Sequence, residues 1–128
     1  MTRATARPHD HDFAMVTRMA LTLPRVTLAT KYDGSPVLQV DGCFLAGLAR
    51  HPSAEPHTLI VRCPLDERAY WLDEAPGTYY LTDYYRPHPV VLARLPQLDR
   101  EELHDLLTVS WRLTLEKSPR WQKPSPRV

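Results

Sequence analysis

Six histidines, two cysteines and a tyrosine-rich run are the side chains of this sequence with most to offer chemically. His9-Asp10-His11-Asp12 sets four metal-ligand types in a row, but ligands alternating along a flexible leader form no cage in advance of the metal. His51 and His57 flank a proline-containing loop with only Glu55 as a carboxylate nearby, and His104 stands beside Asp105 on a segment with helical spacing. No two histidines sit at i, i+4, so the expectation is no metal site. Cys43 and Cys63 lie in the apolar runs VDGCFLAG and LIVRCPL, outside any C-x-x-C or zinc-like spacing. They could pair if their strands were neighbours; the favoured reading is two buried free thiols.

Nucleophilic catalysis has no local signature. G-x-S-x-G, the Walker loop and G-x-G-x-x-G are all absent, and the chain has four glycines. Ser110, next to Trp111 on the inner side of a predicted helix, reads as a buried hydroxyl bonded to backbone. The acidic pairs Asp66-Glu67, Asp73-Glu74 and Glu101-Glu102 fall near predicted helix ends, where they serve helix electrostatics and solubility. A non-enzymatic protein without a cofactor is the expectation.

The run Thr78 to His88 (TYYLTDYYRPH) is different. Interleaved aromatic and cationic side chains suit stacking on bases and contact to phosphates. Tyrosine also fills half-buried strand positions, its ring packed and its hydroxyl wet. The second role fits Tyr79 and Tyr80, and Tyr84, Tyr85 and Arg86 are left as candidate contacts. Charge adds a second hint: residues 117–128 contain Lys117, Arg120, Lys123 and Arg127 and no acid, while the whole chain is only +1. The basic excess therefore lies in the tail, a distribution found in nucleic-acid-binding ends.

The elements that must hold these side chains follow from periodicity. Phe13, Val16, Ala20 and Leu23 share one face of a helix, with Asp12 as cap and Pro24 as stop. The period then drops to two. Val26 to Thr30, Val37 to Val40 and Cys43 to Leu48 form a meander turned at Asp33-Gly34 and Asp41-Gly42, because Asp-Gly accepts the positive φ of a tight hairpin. With a two-residue loop at Asp41-Gly42, Leu38 faces Leu45; Leu38, Val40, Cys43 and Leu45 share the core face, and Gln39, Phe44 and Ala46 the other. Thr58 to Cys63 is a further strand, with Arg62 opposite Leu59 and Val61. Pro64 opens a short helix with a Leu65, Ala69, Leu72 stripe, and one or two strands follow, the last from Val90 to Leu95. Asp99 with Glu102 resembles a capping box for a final helix that turns Leu103, Leu106, Leu107, Trp111 and Leu115 inward before Pro119.

This order gives one two-layer α+β domain over residues 12–117, an antiparallel sheet with the N- and C-terminal helices packed on one face. Residues 1–11 read as a disordered leader and 118–128 as a basic, proline-rich tail. A chain of 128 residues, 43% hydrophobic, can close a core without disulfide or metal staples. It has no apolar run approaching the ~20 residues of a membrane-spanning helix and no secretory signal at its start, so the expected location is the cytoplasm.

The segments PVLQVDGCFLAGL, TLIVRCPLDERAYWL, PGTYYLTDYYRPHPVVLARL and LDREELHDLLTVSWRLTLEKSP, in this order over residues 12–120, resemble the MmcQ/YjbR family. The resemblance implies a CyaY-like α+β fold and DNA binding through a double-wing arrangement of hairpins. Positions that match include Gly42, Phe44, Asp66, Tyr84, Ser110 and Lys117. Two depart: Cys43 stands where the family usually has Lys, and Pro89 where it usually has Trp. The related frataxin fold suggests iron, but iron sites of that type need carboxylates on the first helix and the next strand edge, and residues 13–32 contain neither Asp nor Glu.

The resulting expectation is a binding protein for DNA, a duplex held with modest affinity and little sequence selectivity by Arg62, Tyr84, Tyr85, Arg86, Arg94, Lys117, Arg120 and Lys123. The alternative is a module for a protein partner or small ligand, docking on the face that carries Gln39, Phe44 and Ala46.

Overall fold

The structure, a computed structural model, describes residues 12–117. The predicted leader and tail, with Arg120 and Lys123, lie outside the described residues.

Helix α1 (Phe13–Ala20) begins where expected: the Asp12 carboxylate accepts the Met15 N–H at 2.9 Å. It buries Val16 and Ala20, with Phe13 and Leu23 packed alongside. The helix closes before Leu23, the residue that Pro24 disfavours from the α region. Thr22 Oγ1 donates to the Met19 carbonyl at 2.7 Å and the Leu23 N–H to that of Ala20 at 2.9 Å, satisfying groups the last turn leaves over.

Strands β1 (Val26–Thr30), β2 (Pro36–Val40), β3 (Cys43–Leu48), β4 (Thr58–Arg62), β5 (Tyr79–Tyr80) and β6 (Val90–Arg94) form one antiparallel sheet in the order β1-β2-β3-β4-β6-β5. Asp41 and Gly42 both take positive φ, 51° and 84°, as a two-residue hairpin of this hand requires. Val40 pairs with Cys43 as expected, but Leu38 pairs with Ala46, not Leu45. A bulge between Leu38 and Gln39 absorbs the extra residue, so Leu45 and Ala46 both enter the core. Ala46 therefore leaves the outer face to which alternation assigns it, and Gly47 takes that place.

Helix α2 (Leu65–Glu74) follows Pro64, and α3 (Arg100–Lys117) follows a 3₁₀ turn at Leu95–Gln97. The capping box is complete: Asp99 N–H donates to Glu102 Oε1 at 2.9 Å, and Glu102 N–H to Asp99 Oδ1 at 2.7 Å. Helix α3 lies across β2, β3 and β4 and against α1. It buries Leu103, Leu106, Leu107, Ser110, Thr114 and Leu115. Ser110 Oγ donates to the Arg62 carbonyl at 3.1 Å, and Trp111 Nε1 to that of Pro24 at 2.8 Å. The fold is thus a two-layer α+β domain with its main core between sheet and helices.

The stripe predicted on α2 is not its buried face. Leu65 and Ala69 are exposed, while Trp71 and Leu72 pack against the core. This helix sits beside β5 and β6 at the sheet margin, so only a narrow side meets apolar neighbours. Arg68 supplies the rest of its attachment. Its guanidinium donates to the carbonyls of Arg86 at 2.9 Å, His88 at 2.7 Å and Val90 at 3.2 Å.

Candidate nucleic-acid interface

The sheet face turned away from the helices is not bare. Ile60, Val90 and Leu92 form a second apolar cluster there, with Phe44 and Tyr80 packed against it and Tyr85 over it. Residues 49–54 and 81–89 supply the cover. Beside this cluster runs a groove of about 580 Å³, bounded by the β1–β2 loop on one side and residues 84–90 on the other. Phe44 and Ile60 line it from the sheet, which accounts for an aromatic residue on a face otherwise expected to be wet.

Three cations border the groove: Lys31 on the β1–β2 loop, Arg50 after β3, and Arg62 at the end of β4. Arg62 is half-buried; its Nε donates to the Phe44 carbonyl at 2.9 Å, and it pairs with no carboxylate among the described residues. Lys31 and Arg50 likewise form no ion pair among them. Among the described residues one acid, Asp33, lines the groove. Its Oδ1 accepts both the Ser35 hydroxyl at 2.6 Å and the Ser35 N–H at 3.0 Å. These bonds hold its carboxyl below the usual range, with a smaller contribution from the charges of Lys31 and Arg50. The carboxylate is bound within its own turn and stays charged beside Lys31 and Arg50, so the groove sets three cations against one anion among the described residues.

An aromatic platform stands at the same groove. His51 and Tyr84 stack nearly parallel, centroids 3.6 Å apart at 13°. Tyr85 meets both edge-on, at 6.2 Å from His51 and 5.0 Å from Tyr84. Its hydroxyl accepts the His51 N–H at 3.2 Å. His51 Nδ1 accepts the Ser53 N–H at 3.1 Å and lies 2.8 Å from Ser53 Oγ, which sets the ring orientation. Ser53 Oγ is hydrogen-bonded to Thr82 Oγ1 at 2.9 Å, which ties the two covering segments together.

Of the predicted contacts, Arg62 and Tyr84 meet at this groove, and Arg86 is exposed nearby in the same segment, 3.5 Å from the fully exposed Asp83. Tyr85 does not offer itself as a contact: it is 6% exposed and holds the platform from beneath. Its place is dictated by the apolar cluster it completes. Arg94 is engaged within the fold. It binds Glu55 through two hydrogen bonds, donates to the Pro76 and Gly77 carbonyls, and lies 4.3 Å from the Tyr80 ring centre. These bonds raise its pKa and lower that of Glu55. It also stands at the opposite end of the β4–β6 ladder from Arg62, since Arg62 pairs with Val90 and Arg94 with Thr58. The two arginines form no common strip. Lys117 ends α3.

Sequence reasoning missed Lys31, Tyr32, Arg50 and His51. A faint signal existed in the pairs Lys31-Tyr32 and Arg50-His51, each a cation beside a ring at a strand end; successive hairpins bring such ends to one side of a sheet. Of the face drawn for the alternative reading, Ala46 is buried beneath the helices, while Phe44 is partly buried in the outer cluster and lines the groove. Among the described residues, no three His, Cys, Asp or Glu are grouped to hold a metal ion, and no helix is long and apolar enough to cross a membrane. Both cysteines are free thiols, Cys63 buried and Cys43 half-buried.

These features describe a two-layer α+β domain with one cation-bordered, aromatic sheet face. No protein-family model matches the chain, and comparison with curated proteins and with solved structures likewise finds no match.

Proposed function

We propose that the chain is a DNA-binding module of the MmcQ/YjbR type, with a binding role in place of a catalytic one, and that it holds DNA in the outer-face groove. The observation that carries this reading is the convergence of Lys31, Arg50 and Arg62, none ion-paired among the described residues, beside the His51–Tyr84 stack. Cations left without carboxylates are free to replace the counterions of a phosphate backbone. Rings at the same groove add contact area that does not depend on base sequence. The set differs from the one expected of the sequence: Arg94 and Tyr85 serve the fold, while Lys31, Arg50 and His51 join the interface.

The test is a salt titration of a fluorescein-labelled DNA against the intact chain, read by anisotropy. Affinity should fall steeply with salt, and each of Lys31→Ala, Arg50→Ala and Arg62→Ala should reduce the slope of log K against log salt by roughly one. Absence of binding at low salt to every DNA tried, single- or double-stranded, would end this reading.

A further inference from the structure

The rings at this groove have faces to spare, and their geometry says which. The three centroid separations, 3.6 Å between His51 and Tyr84, 5.0 Å between Tyr84 and Tyr85, and 6.2 Å between His51 and Tyr85, close a triangle with a near-right angle at Tyr84. Since His51 lies along the normal of the Tyr84 ring, Tyr85 must lie at the rim of that ring and not on its second face. Tyr84 is therefore covered on one side by His51, propped at its edge by Tyr85, and left with a face that neither ring occupies. Its 54% exposure agrees. Across the groove, Tyr32 is fully exposed and makes no hydrogen bond or ring contact with the described residues.

Such faces suit a flat partner whose own faces are open. In a duplex each base is stacked on both sides, and only its edges reach the grooves. An unpaired strand presents bases and phosphates together, as stacking on aromatic rings over a cationic channel requires. We infer that the groove takes an unpaired DNA strand in preference to a duplex. One base lies on the free face of Tyr84, another on Tyr32, and the phosphates run past Lys31, Arg50 and Arg62. The inference rests on the DNA-binding reading of the same groove and adds the strandedness of the ligand. The platform needs little ordering on binding, because hydrogen bonds between His51 and Tyr85, His51 and Ser53, and Ser53 and Thr82 already hold it.

The experiment is anisotropy at one fixed salt concentration with the intact chain, using labelled oligo-dT, the duplex of a mixed sequence of equal length, and oligo-U RNA. The expected result is a strand held at least about tenfold more tightly than the duplex, with Tyr84→Ala weakening strand binding about 5- to 100-fold. Duplex affinity should fall by a clearly smaller factor than strand affinity, and Tyr84→Phe should keep most of the strand affinity, since the ring and not the hydroxyl is used. Tyr32→Ala gives the same test at a residue with no packing role, so a folding defect cannot imitate the result. Equal affinity for strand and duplex, or variants that weaken both alike, would overturn strand preference and leave the DNA-binding reading intact. Tighter binding of the RNA would overturn the assignment to DNA. No binding to either form of DNA would remove the underlying reading, and this one with it.

Discussion

Arg94 and Glu55, 39 residues apart in sequence, are locked together by two hydrogen bonds, Nε to Oε1 at 2.8 Å and Nη2 to Oε2 at 2.9 Å. The pair closes residues 49–57 onto the end of β6 and engages Arg94 within the fold. Arg94→Ala should leave DNA affinity within about twofold while lowering stability by about 1–2 kcal/mol. The pair itself is half-exposed and worth less than ~1 kcal/mol; the two carbonyl bonds and the Tyr80 ring contribute the rest. Because Arg94 holds the Glu55 carboxyl below its ordinary value of 4.5, the stabilisation is present above that value and is lost as pH falls through the depressed pKa. Denaturation curves should therefore separate wild type from Glu55→Gln at pH 7 and draw together as pH falls through the depressed Glu55 pKa.

Arg68 makes the second prediction. Three carbonyls of residues 86–90 depend on one guanidinium, whose flat fork reaches them together. Arg68→Met should cost about 1–3 kcal/mol, since carbonyls shaped around the cation lose their donors. Arg68→Lys should recover only part, an ammonium having one donor centre for three acceptors. The segment so anchored runs on from Tyr84 and Tyr85, so both variants should also weaken DNA binding without touching the groove. Urea midpoints and anisotropy on the same samples would check the two effects. Wild-type affinity in an Arg68→Met protein that remains folded would show that the clamp does not position the platform.

The parts of this architecture that were legible beforehand are those decided within a few residues. Asp12 caps α1, Asp99 and Glu102 cap α3, and Asp41-Gly42 turns a hairpin because each contact spans no more than three positions. Ser110 was also legible, since a small hydroxyl on the buried side of a helix must find a carbonyl. The bulge at Leu38 and Gln39 was not, because alternation carries no mark of one absorbed residue until a partner strand sets the register. The groove was less legible still. Whether an arginine is free depends on which carboxylate the fold brings to it: Arg94 meets Glu55, whereas Arg62, among the described residues, meets a backbone carbonyl and no carboxylate. Tyr84 and Tyr85 are neighbours with opposite fates, one open and one buried, decided by an apolar cluster assembled from four separate segments.

The hairpin turn offers a third test. Gly42 has φ +84° and an added Cβ would meet nothing within 4 Å, so the strain of a substitution there is purely conformational. Gly42→Ala should cost about 1 kcal/mol, the penalty of holding an L side chain in the left-handed region. Asp41 shares the turn and its carboxylate accepts the Arg25 Nε at 2.9 Å, which keeps the second positive φ in place. Hydrogen exchange of β2 and β3 amides should accelerate in Gly42→Ala while α3 amides change less, because the loss begins at the turn. Uniform protection across the sheet would show that the strand register holds without the turn.

Cys63 and Tyr79 predict how the fold fails in alkali. Burial pushes the Cys63 thiol up to about 12 from an ordinary 9.0, with Glu67 adding to it, and burial pushes the Tyr79 phenol up to about 12 from 10.0. Both groups remain protonated in the folded chain after their unfolded counterparts have ionised. The unfolded state therefore binds fewer protons above pH 9, and stability falls as pH rises from about 9 through about 12. Between pH 8 and 10.5 the thiol alone should account for a loss of about 2 kcal/mol, from 1.36 kcal/mol per unit over the 1.5 units above 9.0. Cys63→Ala is less stable at neutral pH for want of its sulfur, but its stability should decline less over that interval. Thiol labelling gives an independent reading of the same burial: Cys43, half-buried, should react with a disulfide reagent before unfolding, and Cys63 only with it. Parallel alkaline decline in wild type and Cys63→Ala would show that the thiol ionises as readily in the folded chain as in the unfolded one.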